Sequence, residues 1–262
     1  MSIYFTGKEK DAETGYGYFG ARYMDHELMS NWLSVDPMAD KYPGISPYAY
    51  CAWNPVKMVD PDGRELVLTG ESENVNNLLK IINSCFSFSS DVFEIVDGKV
   101  QARKLTSNEM DNMSMKQKGF YNTVMSAIND EKTISIDVVN NSKSVLFGSW
   151  KSSSIDVADM TALGDGEGMN MYSVIGHEIS EQQYKQTSSR PNYLIGHYRY
   201  GMKAEDNISG CFRGTESGFG NPITFNFSNY SESARIQVNI QLGSDKSIES
   251  VERTKYPLNF GY

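Results

Sequence analysis

The chain has 262 residues, 39% of them hydrophobic and 22% charged, with a net charge of -9 and a pI near 4.9. That length holds one large domain or two small ones. The acidic balance excludes a broad nucleic-acid surface, although a nuclease with a local site stays open, and no apolar run approaches the 18 residues of a membrane span.

The start, "MSIYFTGKEKDAETG", lacks the basic opening and apolar core of a signal peptide. The expectation is a cytoplasmic protein in the producing cell, one that leaves by a signal-independent route, or the tail of a longer chain. Cys51, Cys85 and Cys211 are odd in number and far apart, which fits buried free thiols better than a disulfide framework or a metal knot.

Residues 1–64 are dense in Tyr, Gly, Pro and Asp, with turn signals such as "DPMADKYPG" and "DPDG" between short apolar runs. Short strands and hairpins are expected there. From Glu65 the texture changes, and residues 65–262 read as a separate α+β domain. "ELVLTG" predicts a strand. "SENVNNLLKIINSC" predicts a helix with Ser72 as N-cap and Val75, Leu78, Leu79 and Ile82 on one face. Asp97-Gly98 marks a hairpin. Thr106 and Glu109 form a capping box that opens a long helix through "SAIND". "KTISIDVVNN" and "KSVLFGSW" alternate as strands. A loop, "GDGEG", leads into the helix "MYSVIGHEISEQQY". A further helix covers about Tyr193 to Ile208, and two or three antiparallel strands close the chain.

The chemistry concentrates on that "GHEISE" helix. His177 and Glu181 lie four residues apart on one face, and Glu178 sits about 100° round. In zinc proteases, i and i+4 side chains on a helix bind the ion, and the intervening Glu takes a proton from water. Here Glu181 stands where a second His is usual, and carboxylates do ligate zinc. A third ligand must come from elsewhere. His197, sixteen residues on, is favoured and Glu205 competes. The two are about 12 Å apart on a continuous helix, so one binds and the other stands behind it unless Gly201 breaks the helix. The plain alternative is an acidic, solvated helix face.

Other candidates are weaker. Asp156 and Asp159 either support the ligand histidines from behind or end a strand. Arg213 either meets a substrate carbonyl or oxyanion or forms a surface ion pair. "GDGEGMNM" has acids where a phosphate loop needs positive potential.

Two resemblances add to this. "YFTGKEKDAETGYGYFGARYMD", "WLSVDPMADKYPG", "SPYAYCAWNPV" and "VDPDG" resemble the end of the core region of bacterial Rhs (rearrangement hotspot) repeat proteins. Met24-Asp25-His26 and Ser30-Asn31 depart from the family pattern. The resemblance implies that this region closes a β-shell built from upstream repeats, and that a variable domain, often a toxin against competing bacteria, follows it. It also implies self-cleavage after a Pro-x4-Asp-Pro-x-Gly-Leu motif, but Arg64 replaces the Leu, and Asp60 to Gly63 then reads as a turn in an intact chain.

The stretch from "IDVADM" through "GHEISEQ", "GHYRYGMKAED" and "NISG" to "CFRG" is similar to C-terminal domains of Rhs-type and related Bacteroidetes proteins described as metallopeptidase-like toxins. That resemblance supports His177, Glu178, Glu181, His197 and Glu205 as a site. The resulting expectation is a toxin or effector domain: a zinc-dependent hydrolase, most readily a peptidase. His177, Glu181 and His197 would be ligands and Glu178 the base, with a protein substrate in a target cell and a cognate immunity protein as partners. The alternatives are a toxin of another class, such as a nuclease, and a non-catalytic interaction module.

Overall fold

The computed structural model describes residues 14, 16–18, 23–25, 32–35, 46, 48, 65–96, 98–214, 220–229 and 231–257. The chain divides into two compact units, Met1–Arg64 and Glu65–Tyr262. Among the described residues of the first unit, β1 (Tyr16–Tyr18) pairs antiparallel with β2 (Tyr23–Asp25). Met24 bridges to Trp32, both are buried, and the Trp32 N–H donates to the Tyr48 carbonyl at 2.8 Å. The Asp-Pro turns, the Asp60–Gly63 motif and Cys51 lie outside the described residues.

Among its described residues the second unit is α+β, with two sheets. β3 (Leu66–Gly70) and β6 (Ile134–Val139) run parallel at the heart of a six-stranded mixed sheet. The hairpin β4 (Phe93–Val96) and β5 (Lys99–Ala102) adds antiparallel to β3, with Gly98 at φ +80° in the turn. On the other side β8 (Ser154–Asp156) joins β6 in parallel and β7 (Gly148–Ser149) forms the edge, giving the order β4-β5-β3-β6-β8-β7. Strict alternation in "ISIDVV" turns Ile134, Ile136 and Val138 into the core, where they meet Leu66 and Leu68. Each such side chain contributes about 1.5–3 kcal/mol by leaving water.

Against this sheet packs α1 (Ser72–Ser84), through Val75, Leu78 and Ile82. Its N-cap is Glu71, and Ser72 is its first helical residue rather than the expected cap. The long helix expected after Thr106 is two. α2 (Ser107–Asn112) opens with the Thr106–Glu109 capping box, and α3 (Met115–Ile128) opens with a second box between Ser114 and Gln117. The Ser114 hydroxyl accepts from the Gln117 N–H, and Gln117 reaches back to the Ser114 N–H at 2.8 Å, so these side chains outcompete helix continuation. "KSVLFGSW" yields only the two residues of β7. Phe147 sits at φ +62°, off the strand region, and the chain before it loops.

α4 (Val157–Leu163) and α5 (Met171–Thr187) follow. The second site helix is broken into α6 (Tyr193–Ile195), a π-helical segment (Gly196–Gly201) and α7 (Met202–Ser209). α5 is the hub: it packs against β6, α3, α4, the π-helical segment and α7. A four-stranded antiparallel sheet closes the unit, ordered β12-β11-β10-β9, from β9 (Phe212–Arg213), β10 (Ile223–Asn229), β11 (Ala234–Leu242) and β12 (Ile248–Pro257). Among the described residues no helix is long and apolar enough to cross a membrane. Cys85 and Cys211 are free and buried, and burial pushes the Cys85 thiol up to about 12.

Candidate metal centre

α5 begins where Asn170 stops the glycine-rich loop. The Asn170 side chain accepts from the Tyr172 and Ser173 N–H groups at 3.1 and 3.0 Å, and the Ser173 hydroxyl accepts from the Asn170 N–H. The register so fixed buries His177, Glu178, Glu181 and Gln182 together. Helical spacing puts Glu181 beside the His177 ring, with His177 Nε2 and Glu181 Oε2 3.3 Å apart.

The π-helical segment supplies the rest. His197 lies on it and presents Nδ1 at 3.1 Å from His177 Nε2 and 3.2 Å from Glu181 Oε2. Glu205, on α7, takes the other edge of the same ring and accepts from His177 Nδ1 at 3.1 Å. The two competitors therefore do not share a position: His197 joins the Nε2 side and Glu205 stands behind. Gly201, where the π-helical segment ends, makes this possible, because a Cβ there would come within 2.5 Å of His177 Nε2.

His177 Nε2, His197 Nδ1 and Glu181 Oε2 thus form a nearly equilateral triangle. Three such atoms cannot all be linked by straight hydrogen bonds, since each N–H points one way. The triangle does match a face of a tetrahedral site: ligand bonds of about 2.0–2.1 Å imply edges of roughly 3.3–3.4 Å. These three residues could hold a metal ion.

Charge agrees with that. Glu178, Glu181 and Glu205 are buried together, and Arg213 is the cation set against them, with Nη1 at 3.4 Å from Glu205 Oε2 and its guanidinium 4.6 Å over the Phe225 ring. Glu178 Oε2 and Glu205 Oε1 are buried without a hydrogen-bond partner. Burial pushes the Glu178 carboxyl up to about 7, despite the His177 charge. Burial raises Glu181 and Glu205 too, but hydrogen bonds from His177, and from His197 to Glu181, win and hold both low. Burial opposes the His177 imidazolium, yet Glu181 and Glu205 hold its pKa up at about 10. A proton on Nε2 and a metal ion are alternative ways to satisfy the triangle.

A cleft of about 180 Å³ opens onto these groups, walled by Phe147, Trp150, Tyr193 and Phe225 among others. Gly148 lies directly against Glu178, and any side chain there would overlap the carboxylate. Trp150 sits edge-on to Tyr193 (5.7 Å between ring centroids), and Tyr193 stacks on His197 at 5.4 Å. Lys185 holds the Trp150 carbonyl and the Ser153 hydroxyl, so the aromatic wall is tied back to α5.

Asp156 and Asp159 are not brought to the histidines. Asp156 caps α4 and accepts from the Asn141 and Ser142 N–H groups; Asp159 accepts from the Phe147 N–H at 2.8 Å. Both fold the loop before Gly148, which short polar side chains at a helix start do well. Arg213 is enclosed beside Glu205, not a surface ion pair. Sequence reasoning passed over Gly148, Trp150 and Tyr193, although the small residue in "LFGSW" and the aromatic cluster in "NYLIGHYRY" are visible there.

No known family's profile matches the chain, and no solved structure matches it. The chain is 40% identical over 62 residues to toxin subunit YenC2 of Yersinia entomophaga and 38% identical over 64 residues to salivary gland surface protein 1 of Aedes aegypti. Each match takes in 24% of this chain but only 6% and 2% of those proteins. About a quarter of the chain is therefore similar to a small part of a toxin subunit.

Proposed function

We propose that the second unit is the zinc-dependent peptidase domain of a toxin. The observation that carries this is the triangle of His177, Glu181 and His197 with the unpartnered Glu178 carboxylate oxygen facing the same cleft. Two imidazoles and a carboxylate suit zinc. Zinc held there would supply a Lewis acid that polarises a carbonyl and acidifies water. Glu205 fixes the His177 tautomer by accepting from Nδ1, which leaves Nε2 free to ligate. Arg213 offsets the Glu205 charge. Glu178, whose unpartnered carboxylate oxygen lies in the cleft, is placed to take a proton from water and return it to a leaving amine. The partial similarity to a toxin subunit and the Rhs-like first region support a toxin context, with a protein substrate in the target cell and an immunity protein in the producer.

Metal analysis of the gently purified protein tests this. About one zinc per chain is expected, lost in His177→Ala and His197→Ala and weakened less in Glu205→Ala. Zinc at a thousandfold excess over its Kd stabilises the fold by about 4 kcal/mol. No bound metal, together with no shift in Tm on adding zinc, overturns the reading.

A further inference from the structure

The π-helical stretch that carries His197 lies in a segment that is basic although the chain as a whole is acidic. From Lys185 to Lys203 the sequence holds Lys185, Arg190, Arg199 and Lys203 and no Asp or Glu. Arg190, Arg199 and Lys203 are exposed and make no ion pair among the described residues. Between them Leu194 is 60% exposed and Tyr198 61%, with Ile195 and Tyr200 also exposed. Large apolar side chains rimmed by like charge mark a contact surface. This one is continuous with the cleft, because Tyr193 and His197 line the cleft and belong to the same short stretch.

We infer that this surface, with the aromatic wall of the cleft, selects the substrate: a polypeptide with a bulky apolar residue next to the scissile bond and acidic residues a few positions away. The inference rests on the peptidase reading above. Phe147, Trp150, Tyr193 and Phe225 give the cleft an apolar wall for one side chain. Arg190, Arg199 and Lys203 supply a field that attracts carboxylates and speeds encounter with an acidic chain. A phosphodiester fits the centre less well. It would have to approach Glu178, Glu181 and Glu205, and the nearby Arg213 is already engaged with Glu205. A peptide carbonyl carries no charge and meets no such repulsion.

The test uses the full chain loaded with zinc and a peptide library from digested bacterial protein, with cleavage positions read by mass spectrometry. Expected are apolar or aromatic residues beside the cut and Asp or Glu enriched within about five positions. In the triple variant Arg190→Glu, Arg199→Glu, Lys203→Glu, kcat/KM on an acidic-flanked peptide falls about tenfold or more through KM, and the loss shrinks at high salt. The same variant keeps its zinc and its kcat/KM on a neutral-flanked peptide. Trp150→Ala lowers the preference for bulky residues at the cut. Cleavage with no apolar or acidic preference, or a preference unmoved by the triple variant, overturns this inference and leaves the peptidase reading standing. A zinc-loaded protein that cuts nothing overturns both. Binding of anionic vesicles or single-stranded oligonucleotides that the triple variant abolishes, with the cleavage preference unchanged, assigns the surface to another partner and also overturns it.

Discussion

α1 and α5 are both buried against the same sheet, yet they treat polar groups in opposite ways. α1 buries Val75, Leu78 and Ile82 and one polar residue, Asn83, and both polar atoms of that amide have partners. It donates to the Phe93 carbonyl at 2.8 Å and accepts from the Val92 and Phe93 N–H groups at 3.0 and 2.9 Å. α5 buries ten of its seventeen residues, among them His177, Glu178, Glu181 and Gln182. Glu178 Oε2 and Gln182 Oε1 find no partner. Burying an unpaired polar atom costs about 1–3 kcal/mol, and more when it is charged. A fold selected for stability alone would fill such positions with apolar groups. On the proposed function, the contrast separates Asn83, a polar group that holds the structure, from Glu178, one that would meet a reactant.

The largest expected effect attacks α5 where it is unsaturated. Glu178→Gln keeps shape and size, leaves the triangle alone and removes the proton acceptor. Peptide turnover should fall by about 10²–10⁴ with zinc content and Tm close to wild type. Loss of zinc would mean that Glu178 is a ligand, and undiminished turnover would place the base elsewhere.

Next comes the apolar side of α1. Leu78 is fully buried, so Leu78→Ala should cost about 2–5 kcal/mol in denaturant unfolding and leave the zinc stoichiometry of the surviving folded protein intact. Asn83→Ala should cost less, about 1–3 kcal/mol, because it strands the two N–H groups of Val92 and Phe93. If Asn83→Ala were neutral while Glu178→Gln unfolded the protein, the contrast between the helices would collapse.

Legibility in the sequence follows the same division. Elements governed by local periodicity or capping could be read: "ISIDVV" alternates because one face of β6 is core, and the Thr106–Glu109 box works as a local device. The Ser114–Gln117 box was equally local, but continuous helical propensity around it masked the break. The triangle of His177, Glu181 and His197 was half legible. Residues four apart on one helix must meet, so His177 with Glu181 needed no fold. That His197 and Glu205 reach opposite edges of one imidazole depends on a π-helical segment, whose i to i+5 bonds leave no periodic pattern in sequence. For Asp156 and Asp159 the sequence left two readings, support of the histidines or a polar strand end, because type and proximity in sequence say nothing about which N–H a carboxylate finds; Asp156 does end β8, and the N–H groups are those of residues 141, 142, 147 and 158.

The smallest expected effect lies between the two extremes. Asp159 is buried and accepts one backbone N–H, from Phe147, the residue just before β7 and itself part of the cleft wall. Burial raises its pKa from 3.8 to about 6, the Phe147 N–H pulls the other way, and Asp156 adds to the rise. The folded protein thus prefers the protonated acid more than the unfolded chain does. The stability this contributes is fully present below about pH 3.8 and is lost as pH rises through about 6. Asp159→Asn cannot ionise and keeps an oxygen for the Phe147 N–H, so above pH 6 it should be more stable than wild type by about 1 kcal/mol. That is less than the full pKa shift would give, because a neutral amide accepts more weakly and forgoes the helix dipole at the start of α4. The advantage should fade as pH falls from 6 toward 4, measured as the difference in unfolding midpoint across that range. A gain that is constant with pH would show that the charge on Asp159 is not its cause, and a loss at pH 7 would make Asp159 a partnered structural group of the same kind as Asn83.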